Sequence, residues 1–366
     1  MNPPLHTCLT TPPSYQEVTK AIRKSKSKSS PSPLDHISII CFKKCPILRT
    51  ILHKIISECW TQGKIPSCWK KGLTILIYKK GDASDPSNFR PITLQSVPYK
   101  ILSSIIRNRI YSFLEKNNYI DKHVQKGFWP KIDGVAEHTQ LLTNLMRDAK
   151  RNQRSLVITL LDLKNAFGEI NHKLIIAALQ YHHVPSEITN LIENIYTNCQ
   201  ISIATGTQNT PLINVSKGLL QGDPCSPLIF NICFNPLMKL ISQPKYEQLG
   251  YFWGPNARVR SWLQFADDTA LISKNVKAAQ SLIDLNIAWC RWTGMEIRTD
   301  KCISFGMRKQ DGVYEQFQPN LTINDERIPQ VGTNESFTYL GKHFNFELKN
   351  ESTTSALQSK LSDMLK

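Results

Sequence analysis

The chain has 366 residues, of which 41% are apolar and 20% are charged, a composition typical of globular proteins with two or three subdomains. No segment approaches the roughly 20 apolar residues of a membrane span, and the N-terminus lacks the pattern of a secretory signal. Ten cysteines are scattered without paired metal-ligand spacing, which favours reduced, buried thiols in an intracellular protein.

The net charge of +16 is concentrated in the first third of the chain. Residues 1–131 contain 22 Lys and Arg against 7 Asp and Glu, a net of +15, whereas residues 132–366 are close to neutral. A basic segment followed by a near-neutral segment with clustered acids indicates a grip for a polyanion beside a metal site. A solvated basic surface that maintains solubility is the alternative that charge alone leaves open.

The first third of the chain predicts helices around one strand. Ser14 and Glu17 have the spacing of a capping box, so a short helix should follow Ser14, and a polar, basic loop is expected at residues 24–33. Apolar spacing predicts helices at residues 48–60 and 99–117, with Arg107 and Arg109 facing outward. Between these helices, a strand at residues 72–78 and a turn at 79–82 are expected.

The rest of the chain alternates strands and helices. An apolar run predicts a strand at residues 155–162, and a hairpin around Asp267 and Asp268 is expected later in the chain. Pro224 and Pro227 should open a helix that Pro236 kinks. A helix with Leu174, Ile175, Ala178 and Leu179 on one side is expected, and another through Ala278, Leu282, Leu285 and Trp289. A further helix is expected at about 186–198 and a hairpin at 200–216. This succession is compatible with an α+β fold around a ferredoxin-like, split βαβ core.

Three carboxylates carry the strongest chemical signal. Asp162 ends one apolar run, and Asp267 and Asp268 lie between two others. Charge beside apolar neighbours is costly unless a partner such as a divalent cation compensates it. If Asp162 and Asp267 converge from separate strands, they can bridge two cations roughly 3.5–4 Å apart for phosphoryl transfer. Plainer interpretations remain open, with Asp162 as a helix N-cap and the Asp pair as turn residues.

Two further segments are candidates for binding a phosphorylated ligand. Residues 218–227 form a Gly- and Pro-rich loop before a helix, in which the backbone can approach a ligand and Gln221 offers both donor and acceptor groups. Lys79, Lys80 and Arg90 flank a turn-rich segment, and their side chains suit phosphate oxygens. A plain loop and ordinary surface charge are the competing explanations.

Taken together, these segments resemble the reverse transcriptase of non-long-terminal-repeat (LINE-type) retrotransposons over nearly the whole chain. The matching motifs follow the family's order. Residues 77–82 and 88–94 resemble the fingers motif, and residues 125–128 with Glu137 and His138 resemble the motif along the template. Residues 161–167 resemble the first palm motif, residues 221–227 the motif against template and nucleotide, and residues 265–268 the catalytic hairpin, while Lys301 matches the lysine near the leaving phosphates and residues 337–341 the primer grip.

The resemblance implies a role for each matching residue. The implied catalytic carboxylates, which hold two Mg²⁺ or substituting Mn²⁺ together with the Leu163 carbonyl, are Asp162, Asp267 and Asp268. Phe167 is the implied steric gate that excludes a 2′-hydroxyl. The other implied nucleotide contacts are Lys79, Lys80, Arg90, Gln221 and Lys301, and the implied primer grip is Tyr339, Leu340 and Gly341.

The implied architecture is a right-hand polymerase fold, α+β in class. Basic, helical fingers with an N-terminal extension are expected at residues 1–150, a ferredoxin-like palm at 151–345, and the start of a truncated thumb at 346–366. The implied activity is RNA-directed DNA synthesis, with an RNA template, a DNA primer and deoxynucleoside triphosphates as partners. Neither a membrane nor an organic cofactor is expected, and the expected location is intracellular, in the nucleus and cytoplasm.

Three features depart from the family pattern. Gly168 follows the gate residue where many relatives have Asp, Pro236 interrupts a helix and is expected to shift the Gln221 loop, and the sequence stops soon after the primer grip, which suggests a polymerase fragment. Two alternatives stay open: a catalytically inactive nucleic-acid-binding remnant, and an RNA-dependent RNA polymerase. RNA-dependent RNA polymerases favour a small or polar residue at the position of Phe167, and they often have Gly at the position of Ala266.

Overall fold

The computed structural model describes residues 1–27, 30–206, 208–253 and 258–348, together with Gln358 and Ser362. The chain forms two compact units, each built from separate stretches: unit 1 comprises Met1–Ile120 and Phe167–Cys233, and unit 2 comprises Asp121–Ala166 and Phe234–Lys366. Most of the predicted thumb at residues 346–366 lies outside the described residues. Among those described, no helix has the length and apolar character needed to span a membrane.

Most helices lie where the apolar periodicity predicts them. The α-helices are α1 Tyr15–Lys24, α2 Ile39–Lys44, α3 Pro46–Gln62, α4 Val97–Lys116, α5 Gly134–Asn152, α6 Ala166–Glu169, α7 His172–Tyr181, α8 Ser186–Tyr196, α9 Ser226–Ile241, α10 Pro244–Glu247 and α11 Val276–Thr293. Short 3-10 helices occur at Ser67–Lys70, Pro86–Asn88 and Thr299–Lys301. Helix α9 continues on both sides of Pro236.

The strands form two larger sheets and several short hairpins. They are β1 Lys71–Tyr78, β2 Phe89–Leu94, β3 Leu156–Leu161, β4 Gln200–Ile203, β5 Ile213–Asn214, β6 Tyr251–Trp253, β7 Arg258–Arg260, β8 Trp262–Phe265, β9 Asp268–Ser273, β10 Ile303–Gln310, β11 Val313–Phe317, β12 Thr322–Ile323, β13 Glu326–Arg327, β14 Phe337–Tyr339 and β15 Lys342–Phe344. The mixture of helices and sheets agrees with the predicted α+β class.

Unit 1 joins helices to a four-stranded sheet in the order β2-β1-β4-β5. Helix α1 begins as the capping box predicts, because the Ser14 hydroxyl accepts a hydrogen bond from the Glu17 N–H at 3.2 Å. Strand β1 pairs antiparallel with β2 and parallel with β4. The buried hydroxyls of Thr74 and Thr93 lie 3.0 Å apart and link β1 to β2, the two strands of one hairpin.

Arg109 is buried, so the prediction that it faces outward is wrong. Its guanidinium forms a two-pronged ion pair with Glu17 at 2.7 and 2.8 Å. It also lies 4.4 Å from the centre of the Trp60 ring and donates to the carbonyls of Leu9 and Thr11. Helical periodicity assigns a charged residue to the polar face by default, and it carries no information about a partner far away in the chain.

Unit 2 is organised around a five-stranded antiparallel sheet in the order β11-β10-β3-β9-β8. Because successive side chains of a strand point to opposite faces, Leu156, Ile158 and Leu160 of β3 all reach one apolar core. That core also contains residues of α5, β9 and β10, and the hairpin β14–β15 contributes Phe337, Tyr339 and Phe344. Every residue of β3 is buried, so its C-terminal end is held firmly in the centre of the sheet.

Candidate active site

Asp162 lies where the central strand of unit 2 ends. The pairing of Leu161 with Thr269 brings the end of β3 beside the start of β9. The Asp162 backbone is held by two neighbours, since its N–H lies 3.5 Å from the Cys302 sulfur and its carbonyl accepts a 2.9 Å hydrogen bond from the Arg298 N–H. Helix α6 begins only at Ala166, so Asp162 does not occupy its N-cap position.

Asp267 and Asp268 lie at the tip of the β8–β9 hairpin. Phe265 pairs with Asp268, so the loop consists of Ala266 and Asp267 alone. One step beyond the Leu161–Thr269 pair, the register of β3 and β9 sets Asp162 opposite Asp268. The alternation of the two strands directs both residues to the face that carries the apolar core.

The three carboxylates share one electrostatic environment. Burial raises the pKa of Asp162. The positive charges of Arg298 and Lys301 oppose this rise, and the negative charge of Asp267 adds to it. Desolvation by neighbouring protein atoms, followed by the like charges of Asp267 and Asp162, raises the pKa of Asp268 to about 6, although the residue itself is exposed. The acids therefore lie within one another's electrostatic reach, and ionising all three without a compensating cation is unfavourable.

The donor chemistry of this site suits a hard divalent cation. Carboxylate oxygens are the ligands that Mg²⁺ prefers, and a cation would relieve the like-charge repulsion that adds to desolvation in raising the pKa of Asp268. Across the described ranges, no three Asp, Glu, His or Cys side chains are already grouped as a metal-binding cluster. Leu163 forms an antiparallel bridge with Ile297 just after Asp162. The residues fit the ion by chemical type, and the ligand set itself stays a prediction.

Lys301 and Arg298 place positive charge beside Asp162. Lys301 ends the short 3-10 helix at Thr299–Lys301 and is exposed. Arg298 opposes the raised pKa of Asp162 more strongly than Lys301 does. Lys301 was predicted from the family motif, whereas Arg298 and Cys302 were not, because neither belongs to a recognisable pattern of residues.

The hairpin predicted as the primer grip also belongs to unit 2. Leu340 and Gly341 form the turn between β14 and β15 with φ of +49° and +79°. Tyr339 is buried, and its hydroxyl lies 3.5 Å from the Leu263 carbonyl. Burial raises the pKa of Tyr339, and the charge of Asp268 adds to that rise, so the base of this hairpin lies near the acidic site.

The basic residues predicted to contact a nucleotide lie on the β1–β2 hairpin of unit 1. Lys79 and Lys80 follow β1 directly, Arg90 lies in β2, and all three side chains are exposed. The rings of Tyr78 and Phe89 pack across the hairpin with their centres 5.5 Å apart. Cationic and aromatic side chains on one hairpin are a combination that binds the phosphates and bases of nucleic acids.

Phe167, the predicted gate residue, belongs to unit 1 and is partly exposed. Its ring stacks on that of Phe230 in α9, with ring centres 4.3 Å apart and planes inclined by 5°. The Phe167 carbonyl accepts a 2.7 Å hydrogen bond from the Leu219 N–H. Phe230 is fully buried and is a supporting residue that the sequence does not reveal, because it looks like any other apolar position of a helix.

The loop at Gln221 is tied to β2 within unit 1. The Gln221 carbonyl accepts a 2.6 Å hydrogen bond from the Thr93 N–H, and Gly222, with φ of +117°, lies so close that a Cβ there would be 2.5 Å from the Thr93 carbonyl oxygen. The buried carboxylate of Asp223 accepts hydrogen bonds from the Ser103 hydroxyl and from the N–H groups of Cys225 and Ser226, where α9 begins. These contacts fix the loop that presents Gln221.

Comparison with known proteins supplies independent information. Residues 77–344 match the model of a family described as "Reverse transcriptase (RNA-dependent DNA polymerase)". The chain is 29% identical over 286 residues to a Pol polyprotein of the type-1 retrotransposable element R2 of Nasonia vitripennis, covering 77% of the chain and 27% of the relative. It is 27% identical over 330 residues to that of element R2DM of Drosophila melanogaster, covering 89% and 29%. The chain thus spans less than a third of either relative's length.

A solved structure shows the same fold at low sequence identity. A telomerase of Candida tropicalis, determined in complex with a fragment of telomeric RNA, aligns with 83% of this chain and 49% of its own chain at a TM-score of 0.50 and 12% identity. At this identity, the likeness shows the fold alone. The predicted right-hand polymerase fold is confirmed by this alignment.

Proposed function

The chain belongs to the reverse transcriptase (RNA-dependent DNA polymerase) family, and we propose that it transfers deoxynucleotides to a primer 3′-hydroxyl along an RNA template. The resemblance to the non-long-terminal-repeat retrotransposon enzymes is confirmed by the R2 relatives. The observation that carries the proposal is the placement of Asp162 beside the Asp267–Asp268 hairpin at one end of the unit 2 sheet.

In the proposed site, Asp162 and Asp267 hold two Mg²⁺, for which Mn²⁺ can substitute, and Asp268 and the Leu163 carbonyl support them. When bound, such ions activate the attacking hydroxyl and neutralise charge on the leaving pyrophosphate. The hydrogen bond from the Arg298 N–H and the contact with Cys302 keep the Asp162 backbone in place. The charges of Asp267 and Asp162 contribute to the raised pKa of Asp268 after burial, and a bound cation would offset the cost of ionising the three acids together.

The remaining residues recognise the nucleotide and the primer. Lys79, Lys80 and Arg90 neutralise the triphosphate, and Lys301 assists at the leaving phosphates. The Phe167 ring, supported by Phe230, excludes the 2′-hydroxyl of a ribonucleotide. Gln221 contacts the nucleotide and the template from its fixed loop. The turn of Tyr339, Leu340 and Gly341 holds the primer end.

The wider assignments follow from the same proposal. We place the fingers at residues 1–150, the palm at 151–345 and the start of the thumb at 346–366. The partners are an RNA template, a DNA primer and deoxynucleoside triphosphates, which the exposed basic hairpin of unit 1 supports through its charge and its aromatic rings. An element that copies itself into chromosomal DNA must reach the nucleus, so we place the protein in both nucleus and cytoplasm.

Primer extension on an RNA template tests the proposal. The chain is expected to incorporate deoxynucleotides in the presence of Mg²⁺ or Mn²⁺, and Asp162→Asn or Asp267→Asn should abolish incorporation while leaving folding and RNA binding nearly intact. Asp284→Asn is the matched control, because Asp284 lies exposed on α11 and asparagine keeps the oxygen that accepts from Gln280. Full activity in the double variant Asp162→Asn/Asp267→Asn would refute the assignment.

The same assay separates the two alternative functions. An RNA-dependent RNA polymerase would extend the primer with ribonucleotides in preference to deoxynucleotides. An inactive remnant would bind RNA with a steep dependence on salt concentration and incorporate nothing at any Mg²⁺ or Mn²⁺ concentration.

A further inference from the structure

The tip of the β8–β9 hairpin contains a residue in a conformation that alanine does not favour. Ala266 has φ of +56° and is 5% exposed. Two-residue hairpin loops prefer Gly or Asn at such positions, because a Cβ in the left-handed region strains the backbone. A contact outside the hairpin must therefore hold the residue that precedes Asp267.

That contact is the side-chain amide of Gln125. Its Oε1 accepts a hydrogen bond from the Ala266 N–H at 2.9 Å, and its Nε2 donates to the Ala266 carbonyl at 3.2 Å. One side chain thus binds both backbone polar groups of the strained residue. Gln125 is 0% exposed, so water does not compete for these hydrogen bonds.

Gln125 is itself fixed by its neighbours within unit 2. Its Oε1 also accepts the Gly127 N–H at 2.8 Å, and its carbonyl accepts the Trp129 indole N–H at 2.8 Å. A Cβ on Gly127 would lie 2.4 Å from the Ala266 nitrogen, so glycine is required for this close approach. The amide of Gln125 therefore has little freedom to turn away from the hairpin.

His138 holds the strand that leads into the hairpin. Its Nε2 lies 3.0 Å from the Val124 carbonyl and 3.1 Å from the Gln264 carbonyl. Both partners are acceptors, so Nε2 carries the proton. Burial lowers the pKa of His138 to about 4, and the ring is neutral at physiological pH. Residues 124–127 and His138 together bind β8 on the side away from β9.

We propose that Gln125 is a positioning residue for the catalytic hairpin, whose amide fixes the Ala266 backbone and thereby directs the Asp267 carboxylate towards Asp162. The inference rests on the proposed function, and it assigns a role in catalysis to a buried side chain that does not contact substrate. Because the Gln125 amide bonds the backbone of the turn that carries Asp267, its removal should affect the chemical step rather than the affinity for nucleotide.

Gln125→Met tests the inference, because methionine preserves the length of the side chain and removes both hydrogen bonds to Ala266 together with the one from Gly127. The variant is expected to lower kcat in primer extension about 10-fold or more, to leave KM for the nucleotide within about 2-fold, and to increase hydrogen exchange at the Ala266 amide. Gln140→Met is the matched control, since Gln140 is exposed on α5 and bonds only Asn144 in the described residues; it should change none of these values.

A second substitution separates positioning from general loss of packing. Glycine adopts a positive φ without strain, so Ala266→Gly in the Gln125→Met background is expected to recover about 3-fold or more of the lost kcat. Wild-type kcat in Gln125→Met, or a loss that Ala266→Gly does not restore, overturns the inference. If the unsubstituted chain extends no primer, the proposed function fails, and hydrogen exchange in Gln125→Met then tests the contact between Gln125 and the hairpin. Faster exchange that is confined to the hairpin supports the contact, and unchanged exchange overturns the inference.

Discussion

Gly222→Ala is a substitution for which the structure predicts a strong local effect on the loop that presents Gln221. A Cβ at this position would lie 2.5 Å from the Thr93 carbonyl oxygen, whereas ordinary contact begins at 3.4 Å, so the loop and β2 must separate by about 0.9 Å. The φ of +117° adds backbone strain, of order 1–2 kcal/mol. The shift also breaks the 2.6 Å hydrogen bond between Thr93 and Gln221, worth about 1 kcal/mol.

The combined cost is therefore about 2–3 kcal/mol in the free energy of unfolding. Gly206→Ala is the control, because Gly206 has φ of +90° but open space around it; strain alone predicts a loss of about 1–2 kcal/mol. Urea denaturation measures both losses, and primer extension should show a reduced affinity for nucleotide in Gly222→Ala only. Equal losses of stability and normal nucleotide affinity in both variants would refute the reasoning.

Three further predictions concern the gate, the buried ion pair and the acidic site. Phe167→Val should admit ribonucleotides, measured as the ratio of ribonucleotide to deoxynucleotide incorporation; unchanged discrimination would count against the gate. Glu17→Gln should lower the unfolding free energy by about 2–3 kcal/mol, because buried Arg109 loses its charged partner; a loss equal to that of exposed Glu187→Gln would contradict this. In metal-free protein, folding raises the pKa of Asp268 from 3.8 to about 6, so wild-type stability falls through that range as pH rises. The free energy of unfolding of Asp268→Asn, relative to that of the wild type, should therefore increase between about pH 4 and 7. A difference that does not change with pH would show that the pKa of Asp268 is not raised.

Local patterns in the sequence predict the elements of the site. The apolar run before Asp162 marks a central strand because a fully buried strand needs no polar alternation, and β3 ends one residue before that acid. The short segment between two apolar runs at Asp267 is likewise a hairpin, as predicted. The order of the motifs was enough to predict the family.

Contacts between distant residues could not be predicted in this way. The Glu17–Arg109, Asp162–Cys302 and Gln125–Ala266 contacts join residues 92, 140 and 141 positions apart. No partner reveals its contact in its own segment: Arg109 looks like a surface charge, Cys302 like a buried thiol, and Gln125 belongs to a motif expected along the template. Only packing in three dimensions gives these residues their roles.

The central claim is that Asp162 and Asp267 share a pair of divalent cations, and metal titration tests it most directly. Isothermal titration of Mn²⁺ into the chain bound to an RNA template, a chain-terminated primer and the next deoxynucleotide should give two tight sites. Asp162→Asn and Asp267→Asn should each lose at least one of them. Two tight sites with unchanged affinity in both variants would contradict the account.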